Sequence, residues 1–255
     1  MLINFQQYSS LKIGGAVEVE TIADRGFDPA PFFIVGNARN LLVSNSPPPL
    51  AVLDRSFDYC RVEGEVLVAG GKTPSGKLVS LCKRADLGGL EFLCGLPGSL
   101  GGLIAMNAGL KDRSVFDRLL WVDFGRGAID AACIERGYRR ASLEGVVFEA
   151  AFRLERGFDR ALEALFMAIR AAHPKEPSAG SCFKNPIGGY AGGLIEAVGL
   201  RGFVRGGAAF SGKHANFLVN LGGATFEQAM WLIDEAKRRV LDSFDIALET
   251  EIKIV

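Results

Sequence analysis

Glycine supplies 32 of the 255 residues, and its densest cluster, Gly95-Leu96-Pro97-Gly98-Ser99-Leu100-Gly101-Gly102, runs into an apolar stretch that ends at Asn107-Ala108-Gly109. Such a chain has to bring bare backbone close to something, because glycine presents its N–H with no Cβ in the way. That is what a pyrophosphate cradle requires. A second loop, Gly36-Asn37-Ala38-Arg39-Asn40-Leu41-Leu42, follows the apolar run 32–35 and can meet a phosphate through its backbone as well. Either loop alone serves equally well as a tight packing turn, whereas the two together, each after its own strand, favour a ligand. The spacing G-x-x-G-x-x-G, well inside the chain, is not the G-x-G-x-x-G fingerprint that follows the first strand of a dinucleotide fold. The run 71–78 does satisfy G-x-x-x-x-G-K, but Leu78 stands where a hydroxyl must hold magnesium. A nucleotide-hydrolysing loop is rejected there, and Ser75 reads as a helix cap.

The length allows two lobes, and 49% hydrophobic with 23% charged residues fits a soluble α/β or α+β protein. Basic and acidic side chains balance at 29 each, so no global field recruits nucleic acid or an anionic membrane, and any anionic ligand must be met by local groups. Five scattered cysteines with no CxxC pair argue against a disulfide framework or a metal site, and fit a reducing cytoplasm. The first residues lack the basic start and apolar core of a signal peptide, and no apolar run approaches about 18 residues. The partners expected are therefore small molecules, with no nucleic acid, no membrane insertion and a monomeric state.

Periodicity predicts strands at 17–22, 32–35, 50–53, 66–69, 119–124, 128–135 and 146–155, and a helix at 75–85. Residues 159–172 read as an amphipathic helix, with Leu162, Leu165, Phe166 and Ile169 on one face and His173-Pro174 as the stop. The polar stretch 174–177 is a candidate boundary between lobes. Thr225-Phe226-Glu227-Gln228 has the capping-box pattern and opens a helix to about residue 243. A closing strand at 248–255 sets Leu248, Thr250, Ile252 and Ile254 on one face and Glu249, Glu251 and Lys253 on the other. Between the helices, Pro177-Ser178-Ala179-Gly180-Ser181-Cys182-Phe183-Lys184-Asn185-Pro186 sets a serine between a glycine and a Cys-Phe pair. By composition alone it is a polar turn opening a short strand. Likewise Arg136 to Arg140 alone is a solvated run, Glu251 an edge-strand charge, and Cys182 a small packing residue. His214 suits a hydrogen-bonded structural histidine, and His173 a helix-end cation.

These stretches, with Ser9-Ser10-Leu11-Lys12-Ile13-Gly14-Gly15, Gly89-Leu90-Glu91-Phe92-Leu93-Cys94 and Lys213-His214-Ala215-Asn216-Phe217, resemble in order, across nearly the whole chain, the UDP-N-acetylenolpyruvoylglucosamine reductase family in its shorter branch. The resemblance implies an α+β, two-lobed flavoprotein. A vanillyl-alcohol-oxidase-type domain over residues 1–160 would hold FAD noncovalently. A C-terminal α+β substrate domain over residues 161–255 would return its last strand, with Glu251, to the flavin. The implied reaction is NADPH-dependent reduction of UDP-N-acetylglucosamine enolpyruvate to UDP-N-acetylmuramate for peptidoglycan, NADPH and substrate using one cleft in turn.

Carried over residue by residue, the resemblance puts cofactor contacts at Gly36, Asn37, Ala38, Arg39, Asn40, Leu41, Gly95, Pro97, Gly98, Ser99, Gly101, Gly102, Asn107, Ala108 and Gly109. Substrate contacts fall at Lys184, Asn185, Lys213 and His214, and catalysis at Ser181, Arg139 and Glu251. The chemistry agrees with those types. Hydride addition to the terminal carbon of an enolpyruvyl group leaves negative charge on the neighbouring carbon and its carboxylate, which calls for a fixed cation and a proton donor. The fork of Arg139 suits the first. Ser181 is a weak acid, but it faces a much stronger base at close range. The family's Tyr-Arg-x-Ser motif is one residue longer here, Tyr138-Arg139-Arg140-Ala141-Ser142, which leaves Arg140 as the alternative to Arg139. The usual Gly-Gly-Gly-Ser-Asn loop reads Gly36-Asn37-Ala38-Arg39-Asn40, and the extra tyrosine-bearing loop is missing, so how the substrate is covered stays open.

Overall fold

Alternating apolar residues place most strands where the periodicity predicts them, at Ala16–Ile22, Phe33–Val35, Leu50–Leu53, Val66–Gly70 and Leu119–Asp123. Helices form at Ser75–Arg84, Arg160–Ala171 and Phe226–Phe244. The computed structural model describes residues 1–255, and its sheets are mainly antiparallel with helices set apart in sequence, an α+β protein. Two compact units are present, each made of separate stretches of chain. Residues 19–37 and 49–172 build one; residues 1–18, 38–48 and 173–255 build the other. This corrects the division into 1–160 and 161–255. Leu11, Ile13 and Leu42 are buried in the core of the unit that holds the last helix, whereas Phe166 is buried in the core of the other. Core membership, not order along the chain, decides where each segment belongs.

The 19–37 and 49–172 unit rests on an antiparallel sheet in the order Ala128–Asp130, Leu119–Asp123, Glu149–Arg153, Val66–Gly70 and Cys60–Glu63. Helix Ser75–Arg84 buries Leu78, Val79 and Cys82 in its core. Residues 19–22, Leu50–Leu53 and Phe33–Val35 pair in parallel, and Gly36 follows directly from the end of its strand. The expected strand at 128–135 stops at Asp130, because the Asp130 carboxylate accepts the Ala132 N–H at 2.8 Å and turns the chain into a 3₁₀ segment, Ala131–Cys133. The strand expected at 146–155 is confined to Glu149–Arg153. Ser75 is the first helical residue rather than the cap, and its hydroxyl donates to the Leu96 carbonyl. Rejection of a P-loop holds for a structural reason as well. A Cβ at Gly71 would lie 1.8 Å from the Val147 carbonyl oxygen, so the glycine admits a neighbouring backbone, and the Ser75 N–H is taken by the Gly98 carbonyl.

The other unit carries an antiparallel sheet in the order Ser178–Ser181, Phe217–Asn220, Ala208–Phe210 and Val204–Arg205. Helix Phe226–Phe244 buries Ala229, Leu232, Ile233, Ala236 and Val240, the three-and-four spacing of one apolar face. Its capping box forms as predicted, Thr225 and Gln228 exchanging side-chain bonds with each other's backbone N–H. The closing strand is shorter than expected. Only Lys253–Ile254 pairs, in parallel with Leu41–Leu42, because Thr250 bridges to Phe183 and the N–H groups of Glu251 and Ile252 both turn to the Cys182 carbonyl. The expected alternation holds in the burial of Leu248 and Ile252 and the exposure of Glu249, and fails at Ile254, which is exposed beside Lys253. No helix is long and apolar enough to cross a membrane.

Candidate functional site

In the unit of residues 19–37 and 49–172, the two glycine loops meet. A Cβ at Gly36 would stand 2.4 Å from the Ser99 hydroxyl and 3.9 Å from the Gly102 Cα, so the bare glycine leaves room for the Ser99 side chain between the two loops. Gly98 sits at φ +148° and Gly95 at φ +68°, where a side chain is strained. The loop is not uniformly open, however. Thr73 and Gly71 carbonyls take the N–H groups of Leu100 and Gly101, and Pro97 has no N–H to offer, so Gly101 packs the loop inward. Asn37 belongs to this unit with Gly36, while Ala38, Arg39, Asn40 and Leu41 belong to the other.

Downstream of that loop lies a polar cluster. Asn107 donates through Nδ2 to the Gly137 carbonyl at 3.2 Å, and its Oδ1 is buried with no partner. Ala108 donates its N–H to Leu103, and the Gly109 carbonyl accepts Nη2 of Arg139 at 3.1 Å. Arg139 is part-buried at φ +58°, with its guanidinium 5.2 Å from the Tyr138 ring centroid. Arg140 instead faces solvent and pairs with Glu135 at 3.6 Å. The inward arginine is therefore Arg139.

Beside it stands a residue that sequence reasoning passed over, Arg170. Its Nε is buried without a partner, and Met167 and Arg170 pack where a Gly95 Cβ would project, each 3.1 Å from it. Burial, and then the charge of Arg139, push its pKa down to about 10, and no carboxylate acts against them. The signal was present in the helix period, since position 170 lies one turn beyond the buried Phe166 on the same face.

In the other unit, Ser181 ends strand Ser178–Ser181, after Gly180 at φ +81° and across from Phe217. It lines a hollow of about 330 Å³ with Asn185, Tyr190, Glu196, Lys213 and His214. The next carbonyl, that of Cys182, accepts the Glu251 N–H at 2.8 Å, and Asn40 Nδ2 donates to the Glu251 carbonyl at 3.0 Å. The Glu251 backbone is thus tied on one side to the residue after Ser181 and on the other to the Asn40 side chain. Burial pushes the Cys182 thiol far up, with Lys237 opposing and Glu251 adding, which leaves it an inert packing group. Of the expected substrate contacts, Asn185, Lys213 and His214 reach the hollow. Lys184 does not, its ammonium closing on the Glu249 carboxylate at 2.5 Å. Ala38 is buried, its carbonyl accepting the Ser10 N–H at 3.1 Å, Arg39 is exposed, and Leu41 pairs with Lys253. The Asn185 carbonyl oxygen also caps the Ala191 N–H at 3.1 Å, and His214 Nδ1 accepts the Asn216 N–H at 3.3 Å. Partial burial, with Arg201 acting the same way, lowers the His214 pKa.

Residues 173–255 match the family model described as "UDP-N-acetylenolpyruvoylglucosamine reductase, C-terminal domain". The chain is 46% identical over its whole length to the UDP-N-acetylenolpyruvoylglucosamine reductase of Helicobacter hepaticus, covering 98% of that protein. It is 40% identical to the reductase of that name from Campylobacter jejuni strain RM1221, each chain covered in full. Among solved structures, the crystal structure of UDP-N-acetylenolpyruvylglucosamine reductase (MurB) from Thermus caldophilus superimposes with a TM-score of 0.88 at 32% identity, covering 100% of this chain and 98% of that one. Two α+β units, glycine loops in one and Glu251 tied to the residue after Ser181 in the other, define an oxidoreductase of two domains. The chain belongs to the UDP-N-acetylenolpyruvoylglucosamine reductase family.

Proposed function

We propose that this chain reduces the enolpyruvyl ether of UDP-N-acetylglucosamine to the lactyl ether of UDP-N-acetylmuramate, with NADPH as hydride donor and noncovalent FAD as carrier, as a cytoplasmic monomer. The observation that carries the reading is the backbone tie of Glu251 to the residue after Ser181, in a chain that matches reductases of this name end to end. The residues present fit a flavin dinucleotide. Gly36, Gly98, Ser99 and Gly102 offer the close backbone approach a pyrophosphate needs, Asn107 offers a buried acceptor, and Arg170 a buried donor and positive charge. When bound, FAD supplies two-electron transfer as hydride from NADPH to the terminal carbon of the enolpyruvyl double bond. Arg139 holds the substrate carboxylate, on which charge grows as the double bond is lost, and its fork binds that charge more strongly in the transition state. The Ser181 hydroxyl gives its proton to the carbon next to the carboxylate and regains one from solvent. Glu251, fastened by its N–H to the Cys182 carbonyl one residue beyond Ser181, acts on the serine from there.

The test is one anaerobic titration of the purified chain, followed by absorbance. NADPH should bleach a bound flavin, and the enolpyruvyl sugar should restore its colour. Protein that purifies without flavin and takes none up would remove the cofactor assignment. Flavin that is bleached but never reoxidised by that sugar would remove the substrate.

A further inference from the structure

Asn107 stands where the chain leaves helix Leu100–Ala105, its N–H donating to the Ile104 carbonyl at 2.9 Å and its φ at +38°. Glycine and asparagine both tolerate such a left-handed corner, so the backbone alone accounts for either of them. The amide does something that glycine would not. Its Nδ2 crosses 30 positions to donate to the Gly137 carbonyl at 3.2 Å. Gly137 pairs with Arg140 at the end of a hairpin whose two connecting residues are Tyr138 and Arg139. Two positions beyond Asn107, the Gly109 carbonyl takes Nη2 of Arg139 at 3.1 Å. The hairpin tip is therefore held against residues 107–109 twice, once by its backbone and once by its guanidinium.

Those residues are a firm base. Ala108 donates to the Leu103 carbonyl and accepts from the Val115 N–H, and Gly109–Leu110 pairs with Arg113–Ser114. The tip is less well provided for. Only two residues pair on each side of it, Tyr138 is 53% exposed, and Arg139 sits at φ +58°, a conformation that a long side chain keeps only where its surroundings hold it. We propose, resting on the reductase reading above, that Asn107 is a positioning residue for Arg139, its amide donor fixing the Gly137 carbonyl and with it the direction in which the guanidinium is presented to the substrate carboxylate. A guanidinium fork meets a carboxylate over a narrow range of angles, so a slip of about 1 Å at the tip takes more from the transition state than from binding.

Two variants separate the amide from the corner it occupies. Asn107→Gly removes the side chain and keeps the backbone, since glycine adopts positive φ freely, and Asn107→Asp keeps the size and an acceptor while removing the donor. Both are measured as flavin-loaded protein, rates being referred to bound flavin and the fold checked by thermal melting. At saturating enolpyruvyl sugar each should be reoxidised about 10- to 10²-fold more slowly than the unaltered chain. Hydrogen exchange over residues 136–141 should quicken in both. The deciding measurement is the double variant. In Arg139→Ala protein, Asn107→Gly should slow reoxidation no further, because the group it acts through is gone. Losses that multiply, or exchange in the hairpin that stays as in the unaltered chain, overturn the proposal and spare the reductase reading, leaving Asn107 as a helix end that acts independently of Arg139. An unaltered chain whose reduced flavin the sugar does not reoxidise overturns both.

Discussion

In the proposed reaction the weak acid Ser181 acts only once, when a carbanion is present to take its proton, and that timing separates the two halves. Ser181→Ala should leave NADPH reduction of the flavin near its normal rate and slow reoxidation by the enolpyruvyl sugar at least about 10²-fold, as stopped-flow absorbance would show. Equal loss in both halves with flavin still bound would make the serine a shaping residue. Arg139 turns inward against Gly109 while Arg140 pairs with Glu135 in solvent, so Arg139→Ala should lower the reoxidation rate more than it weakens substrate binding, and Arg140→Ala should do neither. A normal Arg139→Ala enzyme would sink that role. His214 gives a pH signature. Its folded pKa lies below the ordinary value near 6.5, so the unfolded chain takes up the proton first, and the stability it contributes is present above about pH 6.5 and lost as the pH falls toward the folded value. His214→Gln should therefore flatten the fall in urea midpoint between pH 7.5 and 5.5; an unaltered slope would show that the ring titrates freely.

Elements whose cause is local were legible from the chain: the 3.6-residue period over 226–244 with its capping box, and the short apolar strands. What was not legible depends on partners distant in sequence or on one side chain outcompeting a strand. Asp130 ended a strand by capping Ala132, and the Cys182 carbonyl bent the closing strand by taking two N–H groups from 69 and 70 positions away. Lys184 was lost to Glu249, an ion pair set by the same folding of the C-terminal segment, whereas Arg170 was legible from its helix face and was overlooked. The glycine loops stood out in the sequence, yet glycine alone could not separate Gly36, which makes room beside Ser99, from Gly71, which makes room for the Val147 carbonyl. A pair of substitutions checks the second kind. Gly71→Ala should cost about 1–3 kcal/mol or more, because the intruding Cβ meets backbone that cannot rotate away. Gly76→Ala, in helix Ser75–Arg84 with nothing within 4 Å of its Cβ, should stabilise by about 0.5–1 kcal/mol. Urea unfolding reads both, and a neutral Gly71→Ala would show that this backbone contact is looser than it stands.

Across the whole molecule the charges cancel, 29 against 29, with an isoelectric point near 6.8. Turbidity at high concentration should peak near that pH and fall on either side, since like-charge repulsion between molecules is least there; a maximum two units away would point to association driven by a surface patch instead. The interleaved make-up of the two units has a further effect, on the order in which the protein can come to exist. A ribosome delivers Leu11 and Ile13 well before the helix Phe226–Phe244 that shares their core, which follows more than 200 residues later. At about 5–20 residues per second that wait is roughly 10–40 s. Residues 49–172 meanwhile emerge as one uninterrupted stretch, able to gather around their own sheet. Until that helix has emerged, Leu11 and Ile13 lack the side chains that bury them in the folded protein, so the unit they belong to closes after the other has been able to gather.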